Sequence, residues 1–337
     1  MQWTDVLSFV IKALIVAGGL GGLGLYSSLF ERKLVGRFQN RYGPNRVGPF
    51  GLLQPIADAV KLLFKESLKP KEAKNPIYSF APILALTIAM TAYAVIPLGP
   101  DGLNIFGAKF FIADVNIGVL YILAISSMGV YAITLAGWSS GNKYSLLGAI
   151  RASAQIISYE LALGLSLLSV IVLTHSLRMQ DIVAAQSGNF WNWFFLPAII
   201  AFIVYCTAAV AETNRAPFDL PEAEQELVAG YLTEYSGMSW ALFFAAEYIN
   251  MITVSSIATT MFLGGYQPLI DLGWGWDWAA PLWFVAKVSL LMFGFVWLRA
   301  TLPRLKYNRL MHLGWQVLIP LAALNLIIVS VVVAIVS

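Results

Sequence analysis

Cysteine and histidine are almost missing from this chain. One thiol, Cys206, and two imidazoles, His175 and His312, stand among 337 residues. That scarcity excludes an iron–sulfur cluster and any zinc site of familiar ligand spacing. No metal set is expected, and electron chemistry belongs to a partner. Charge is scarce as well: 12% of residues are charged and 59% hydrophobic, which excludes a soluble globular domain. The net charge of +3 says little about a partner, because it is segregated by membrane side. No nucleic-acid partner is expected.

What is present is a series of long apolar runs. About 20 such residues cross a hydrocarbon core, and eight spans are read, near 6–30, 78–97, 114–138, 152–173, 194–212, 238–264, 279–302 and 313–336. The expectation is an all-α polytopic integral membrane protein, a single membrane domain over 1–337, with one further interfacial amphipathic helix. The first loop, 31–77, carries ten Lys and Arg residues, and the loops after spans three, five and seven carry two, one and three. Bases collect on the cytoplasmic side. Both termini should therefore face away from the cytoplasm. Trp3, Trp191, Trp193, Trp274, Trp276 and Trp278 fall near the predicted outer ends of spans, where indole prefers the interface. The first span has no basic leader and no small-residue cleavage site and should stay as a span. Gly19-Leu-Gly-Gly-Leu-Gly24 fits a dinucleotide-binding pattern, but it lies inside an apolar span with no strand before it. Gly18, Gly22 and their neighbours are better read as allowing close helix approach.

Within the first loop, Gly43 to Gly51 is punctuated by Gly and Pro and should form turns. After Pro55, Leu53, Ile56, Val60, Leu63 and Phe64 share one helical face, opposite Asp58, Lys61 and Lys65. Such a helix lies in the interface plane. It can frame a gap through which a lipid-soluble molecule leaves the bilayer, or anchor a basic surface on anionic lipid headgroups. Arg32, Arg37, Arg41 and Arg46 decide only weakly between these readings, since guanidinium serves a carbonyl-bearing head group and an acidic partner alike.

Six of the eighteen carboxylates fall between Glu212 and Glu234, in a loop bounded near 212–237. A loop with one Arg and six acids on the basic side of the membrane is expected to handle positive charge. Asp219 and Glu222 have capping-box spacing, which accounts for one or two acids. Glu212, Glu224, Glu226 and Glu234 are left over. Glu160 and Glu247 lie inside spans at similar predicted depths, with Tyr159 and Tyr248 beside them. Intramembrane carboxylates are paired, protonated or hydrated, which makes them proton-relay candidates; the plainer reading is helix-to-helix hydrogen bonding. Lys287 is in the outer half of span seven with no partner assignable from sequence. Arg299 is near an inner end, where snorkelling accounts for it.

The block from Gly36 to Asp58, with Arg41-Tyr-Gly-Pro-Asn-Arg-Val-Gly-Pro at its centre, and the block Pro217-Phe-Asp-Leu-Pro-Glu-Ala-Glu-Gln-Glu through Tyr235 closely resemble the H-subunit family of proton-pumping NADH:quinone oxidoreductase, respiratory complex I. The likeness extends through Lys143-Tyr-Ser-Leu-Leu-Gly-Ala-Ile-Arg151, Ile-Ser-Tyr-Glu160-Leu and Arg299-Ala-Thr-Leu-Pro-Arg-Leu-Lys-Tyr, nearly the whole chain. It implies membership of an enzyme complex with no redox centre on this chain; flavin and iron–sulfur centres lie on other subunits. It implies quinone, ubiquinone or menaquinone, as substrate, and Glu31, Arg32, Arg37, Arg41, Asp58, Glu66, Phe218 and Arg299 as residues bordering its access tunnel. Proton coupling would run through Asp219, Glu222, Glu224 and Glu226 to Glu212, Glu160, Tyr159, Glu234 and Glu247. Implied partners are soluble peripheral-arm subunits, neighbouring membrane-arm subunits and membrane lipids. The implied location is the bacterial inner membrane, or the mitochondrial inner membrane. A related membrane-bound hydrogenase-type complex carries a similar subunit. A secondary ion transporter is a further alternative, against which no inverted repeats with broken spans are found.

Overall fold

Lipid offers no hydrogen bonds to a bare backbone, so apolar runs coil and satisfy their own. The computed structural model describes residues 3–100, 104–105, 108–109, 113–219, 228–269 and 279–336. Its helices are α1 (Trp3–Phe38), α2 (Gln54–Phe64), α3 (Asn75–Ala92), α4 (Gly118–Ser139), α5 (Lys143–Thr174), α6 (Met179–Ala185), α7 (Ile199–Glu212), α8 (Gly237–Phe262), α9 (Ala280–Thr301), α10 (Tyr307–His312) and α11 (Ile319–Val336). A π-helical turn, Leu313–Leu318, joins the last two. Two short strands, Asn104–Ile105 and Ala108–Lys109, pair antiparallel. Apart from that pair, the regular structure described is helical, and the fold is that of a polytopic membrane protein.

Among the described residues, seven helical stretches are long and apolar enough to span a membrane. The eighth apolar helix, α7, has 14 residues. At 1.5 Å per residue it covers about 21 Å, less than a ~30 Å core. The turns of 194–198 precede it, so the predicted fifth span is only partly helical. Two other ends differ from the sequence reading. α1 continues to Phe38, which makes Glu31, Arg32 and Arg37 helical residues. α5 starts at Lys143, where the Asn142 side chain accepts from Tyr144 N at 2.9 Å. Depth counted from residue 152 therefore understates how far Glu160 lies along its helix.

α5 is the central element, packed against α4, α7 and α11, while α8 packs against α1, α3 and α9. Tyr159, Leu167, Tyr205, Met261, Phe262 and Phe284 are fully buried at the centre. At Gly148 on α5 a Cβ would come 2.6 Å from Gly230 Cα, so the chain after the acidic segment packs directly on the helix backbone. The glycines of α1 divide differently from expectation. A Cβ on Gly24 would meet Ile249 of α8 at 3.3 Å, whereas one on Gly18 or Gly22 would meet no other part of the described chain within 4 Å.

α2 separates its faces as its periodicity predicts, but it docks by the polar one. Gln54, Asp58 and Leu62 turn toward the bundle and are partly covered, against α8 and α1. Leu53, Ile56, Val60, Leu63 and Phe64 point away, with Phe64 87% exposed. The turns before it contain Gly48 (φ 72°) and Gly51 (φ 75°), in the left-handed region that glycine enters without penalty.

Candidate functional site

The path to the site begins where α7 ends. Thr213 Oγ1 bonds back to Ala209 O at 3.1 Å, Asn214 takes a left-handed conformation with φ 51°, and Arg215 N returns to Val210 O at 3.3 Å. The chain thus reverses and drives Arg215 inward, leaving it 3% exposed. Gln155 of α5 fixes the reversal, its amide donating to Ala211 O at 2.8 Å and Phe218 O at 2.9 Å. The Ala216–Pro217 peptide bond is cis.

Arg215 joins two carboxylates. Its Nε lies 3.0 Å from Glu247 Oε1 of α8, and its Nη1 lies 3.6 Å from Glu31 Oε2 of α1. Arg299 of α9 pairs with Glu31, and Tyr248 donates to Glu31 Oε2 at 2.8 Å. The Arg215 guanidinium lies 4.4 Å over the Tyr248 ring and 5.7 Å from that of Phe244, a cation–π arrangement that partly replaces lost hydration. Two acids and two bases give a balanced set. Burial of such a group is tolerable because each charge faces an opposite one, and loss of one member leaves another uncompensated.

The cluster lies between two spaces. On one side is an open cleft of about 640 Å³, lined by Glu31, Arg32, Arg41, Tyr42, Tyr248 and Arg299 among others. On the other is a cavity of about 100 Å³ inside the bundle, with Glu212, Asn214, Glu247, Asn250, Thr253 and Tyr205 in its wall. That volume has room for several waters, and the wall offers them polar partners. Glu160 accepts from Ser127, next in sequence to Ser126, which lines the cavity. Glu160 itself is half-buried between α4 and α5.

The sequence-predicted residues distribute unevenly around this core. Glu31, Arg32, Arg41 and Arg299 share the cleft; Asp58 joins them through a 2.7 Å ion pair with Arg32. Arg37 lies 5.5 Å over the Tyr42 ring, and Glu66 is exposed beyond α2. Phe218 is elsewhere, buried with its ring 5.7 Å from that of Tyr159. Tyr159 donates to Leu310 O at 2.9 Å, so its hydroxyl is committed to backbone. Asp219 pairs with Arg304 at 2.8 Å. Glu234 accepts from Asn142 at 2.8 Å and lines a separate cleft with Glu72, Lys71 and Lys143. Beside it Tyr235 stacks on Tyr78 at 4.2 Å, and burial pushes the Tyr235 hydroxyl up to about 12. Glu222, Glu224 and Glu226 lie outside the described residues. Sequence reasoning passed over Arg215, Asn214, Asn250 and Arg304; the one available signal was that Arg215 is the sole base in an acidic loop. Arg299 is an ion-pair member, where snorkelling had sufficed to explain it.

Comparison with known proteins covers nearly the whole chain. The NADH dehydrogenase family model matches residues 11–330. The NADH-quinone oxidoreductase H-subunit of Thermomicrobium roseum is 50% identical over 336 residues, 97% of this chain and 96% of that one. The corresponding H-subunit of Deinococcus radiodurans is 49% identical over 342 residues, 99% and 85% of the two chains. NADH-quinone oxidoreductase subunit 8 of Thermus thermophilus is 48% identical over 325 residues, 96% and 86%.

Proposed function

The chain belongs to the NADH dehydrogenase family as an H-subunit of NADH-quinone oxidoreductase, complex I, and from that membership we propose that it forms the access route for quinone and couples quinone reduction to proton movement. The observation that carries this reading is the bridge through Arg215. Glu31 borders the open cleft, Glu247 borders the internal cavity, and Arg215 pairs with both. A change of charge in the cleft is thereby felt in the cavity at close range, in surroundings of low dielectric where Coulomb terms are large.

In this reading a quinone, ubiquinone or menaquinone, leaves the bilayer past the apolar face of α2 and moves along the cleft, where Arg32, Arg41 and Arg299 supply donors for its carbonyl oxygens. The electron carriers and the surfaces completing the head-group site belong to peripheral-arm subunits. Two-electron reduction puts negative charge on the head group until it takes up two protons. The resulting negative charge competes for Arg215 and Arg299, loosens their pairing with Glu31 and Glu247, and alters proton occupancy at Glu247, Glu212 and Glu160. Neighbouring membrane-arm subunits receive the change through the α4–α5 side. The location is the bacterial inner membrane, with the first loop and the 212–237 segment on the cytoplasmic side.

The test is Glu160→Gln in the assembled complex. NADH oxidation by artificial acceptors should stay at the wild-type rate while quinone-linked turnover and proton pumping fall together. Normal pumping in that variant would remove Glu160 from the coupling path.

A further inference from the structure

At the opposite end of α8 the structure holds a second buried charge, unconnected with the cluster around Arg215. Lys287 of α9 is 6% exposed. Its ammonium donates to Leu263 O at 2.6 Å, Gly265 O at 2.9 Å and Gln267 O at 2.7 Å, which uses all three N–H groups. Its Nζ lies 4.0 Å over the Trp193 ring. The three carbonyls converge because the chain leaves α8 through Gly264 (φ 71°) and Gly265 (φ 54°). A Cβ would meet the Trp193 indole at 2.5 Å in the first case and Val183 at 2.7 Å in the second. Gln186, fully buried, braces the turn: its amide donates to Thr260 O at 3.0 Å and its oxygen accepts from Gly264 N at 2.9 Å.

Between this cradle and the internal cavity runs a polar stripe. Glu247, Asn250, Thr253 and Ile257 line the cavity along α8, and Thr260 is the next residue on that face by helical spacing. Ser256 and Thr260 are buried, and their hydroxyls bond to Ile252 O and Ser256 O at 2.8 Å each. Ser256 also reaches the Tyr93 hydroxyl at 3.4 Å. From Ile257 to Leu263 is about 9 Å of helix. The stripe ends at the ammonium.

We propose that Lys287 is an electrostatic seal, a fixed positive charge that keeps protons and hydrated cations from passing between the outer aqueous phase and the cavity. This rests on the membrane orientation given above. Fixed cations and oriented dipoles exclude protons from polar pores in this way, and a cavity wetted from the cytoplasmic side needs a barrier on the other. The three carbonyl bonds keep the charge in place, and among the described residues no carboxylate pairs with it to cancel its field.

The experiment uses intact complex in proteoliposomes, without NADH, and follows decay of an imposed pH gradient. Lys287→Gln keeps N–H donors for the carbonyl cradle and removes the charge; decay should quicken several-fold. Lys287→Arg should match wild type. Adding Thr260→Val to the Gln variant should restore slow decay. An assembled Gln variant that holds the gradient as wild type does would overturn the seal and leave Lys287 as a cap for the α8 terminus. Should that variant fail to assemble, Gln186→Glu carries the test, since it sets a counter-charge against the same turn while Lys287 stays; unchanged decay there overturns the proposal equally. Because no turnover is involved, the result stands apart from that of Glu160→Gln.

Discussion

Arg215 is the residue whose surroundings say most about the protein. It is the one cation among six acids in its segment, and it is also the least exposed charged side chain among the described residues. Removing one member of a buried ion pair costs about 3–5 kcal/mol, because the other is left uncompensated. Arg215→Leu should therefore lower the thermal stability or assembly yield of the complex by an amount in that range, with quinone-linked turnover lost in whatever assembles. Arg215→Lys keeps the charge but not the planar fork or the stacking on Tyr248, and an intermediate loss is expected. Thermal unfolding with parallel turnover assays checks both; equal stability of wild type and the Leu variant would show that Glu31 and Glu247 are satisfied without it. The sequence exposes each of these residues singly, as a charge where charge is scarce. It does not expose their meeting, since Arg299 and Glu31 are 268 positions apart and no periodicity relates them.

At the level of elements, hydropathy located every long apolar helix but misjudged several ends. The start of α5, Lys143 to Arg151, is amphipathic and invisible to a search for apolar runs, and α1 continues past its apolar stretch into Glu31-Arg32-Lys33. The two faces of α2 were readable from spacing; which one meets the bundle was not, because docking by Asp58 depends on Arg32 from another helix. With its apolar face outward, α2 needs an apolar phase beside it. Val60→Asp or Phe64→Asp should raise the apparent KM for long-tailed quinones several-fold while leaving short-tailed analogues and artificial acceptors unaffected. Arg41→Ala, at the cleft wall, should raise the apparent KM for quinones of every tail length. Steady-state kinetics across a tail-length series separates the two effects, and flat kinetics in both would count against the access route.

On the scale of the whole molecule, the scarcity of cysteine opens the orientation of the chain to a direct test. With Cys206→Ser as background, Lys71→Cys and Asn189→Cys each place one thiol at a loop position, on opposite sides in the orientation argued from the bases. In right-side-out vesicles an impermeant maleimide should label the Asn189 position alone; labelling of the Lys71 position alone would invert the chain, and with it the side sealed by Lys287. Acids in the cavity wall and an ammonium farther along α8 are brought into relation by packing and have no signature in the order of residues. One further tie has a mechanical consequence. Leu305 N bonds to Pro217 O at 3.0 Å and Arg304 to Asp219, fastening the segment after α9 to the segment after α7. Those two connectors must shift as one piece, so a docking partner that presses on residues 215–219 also levers the foot of α10 and the π-helical turn above it.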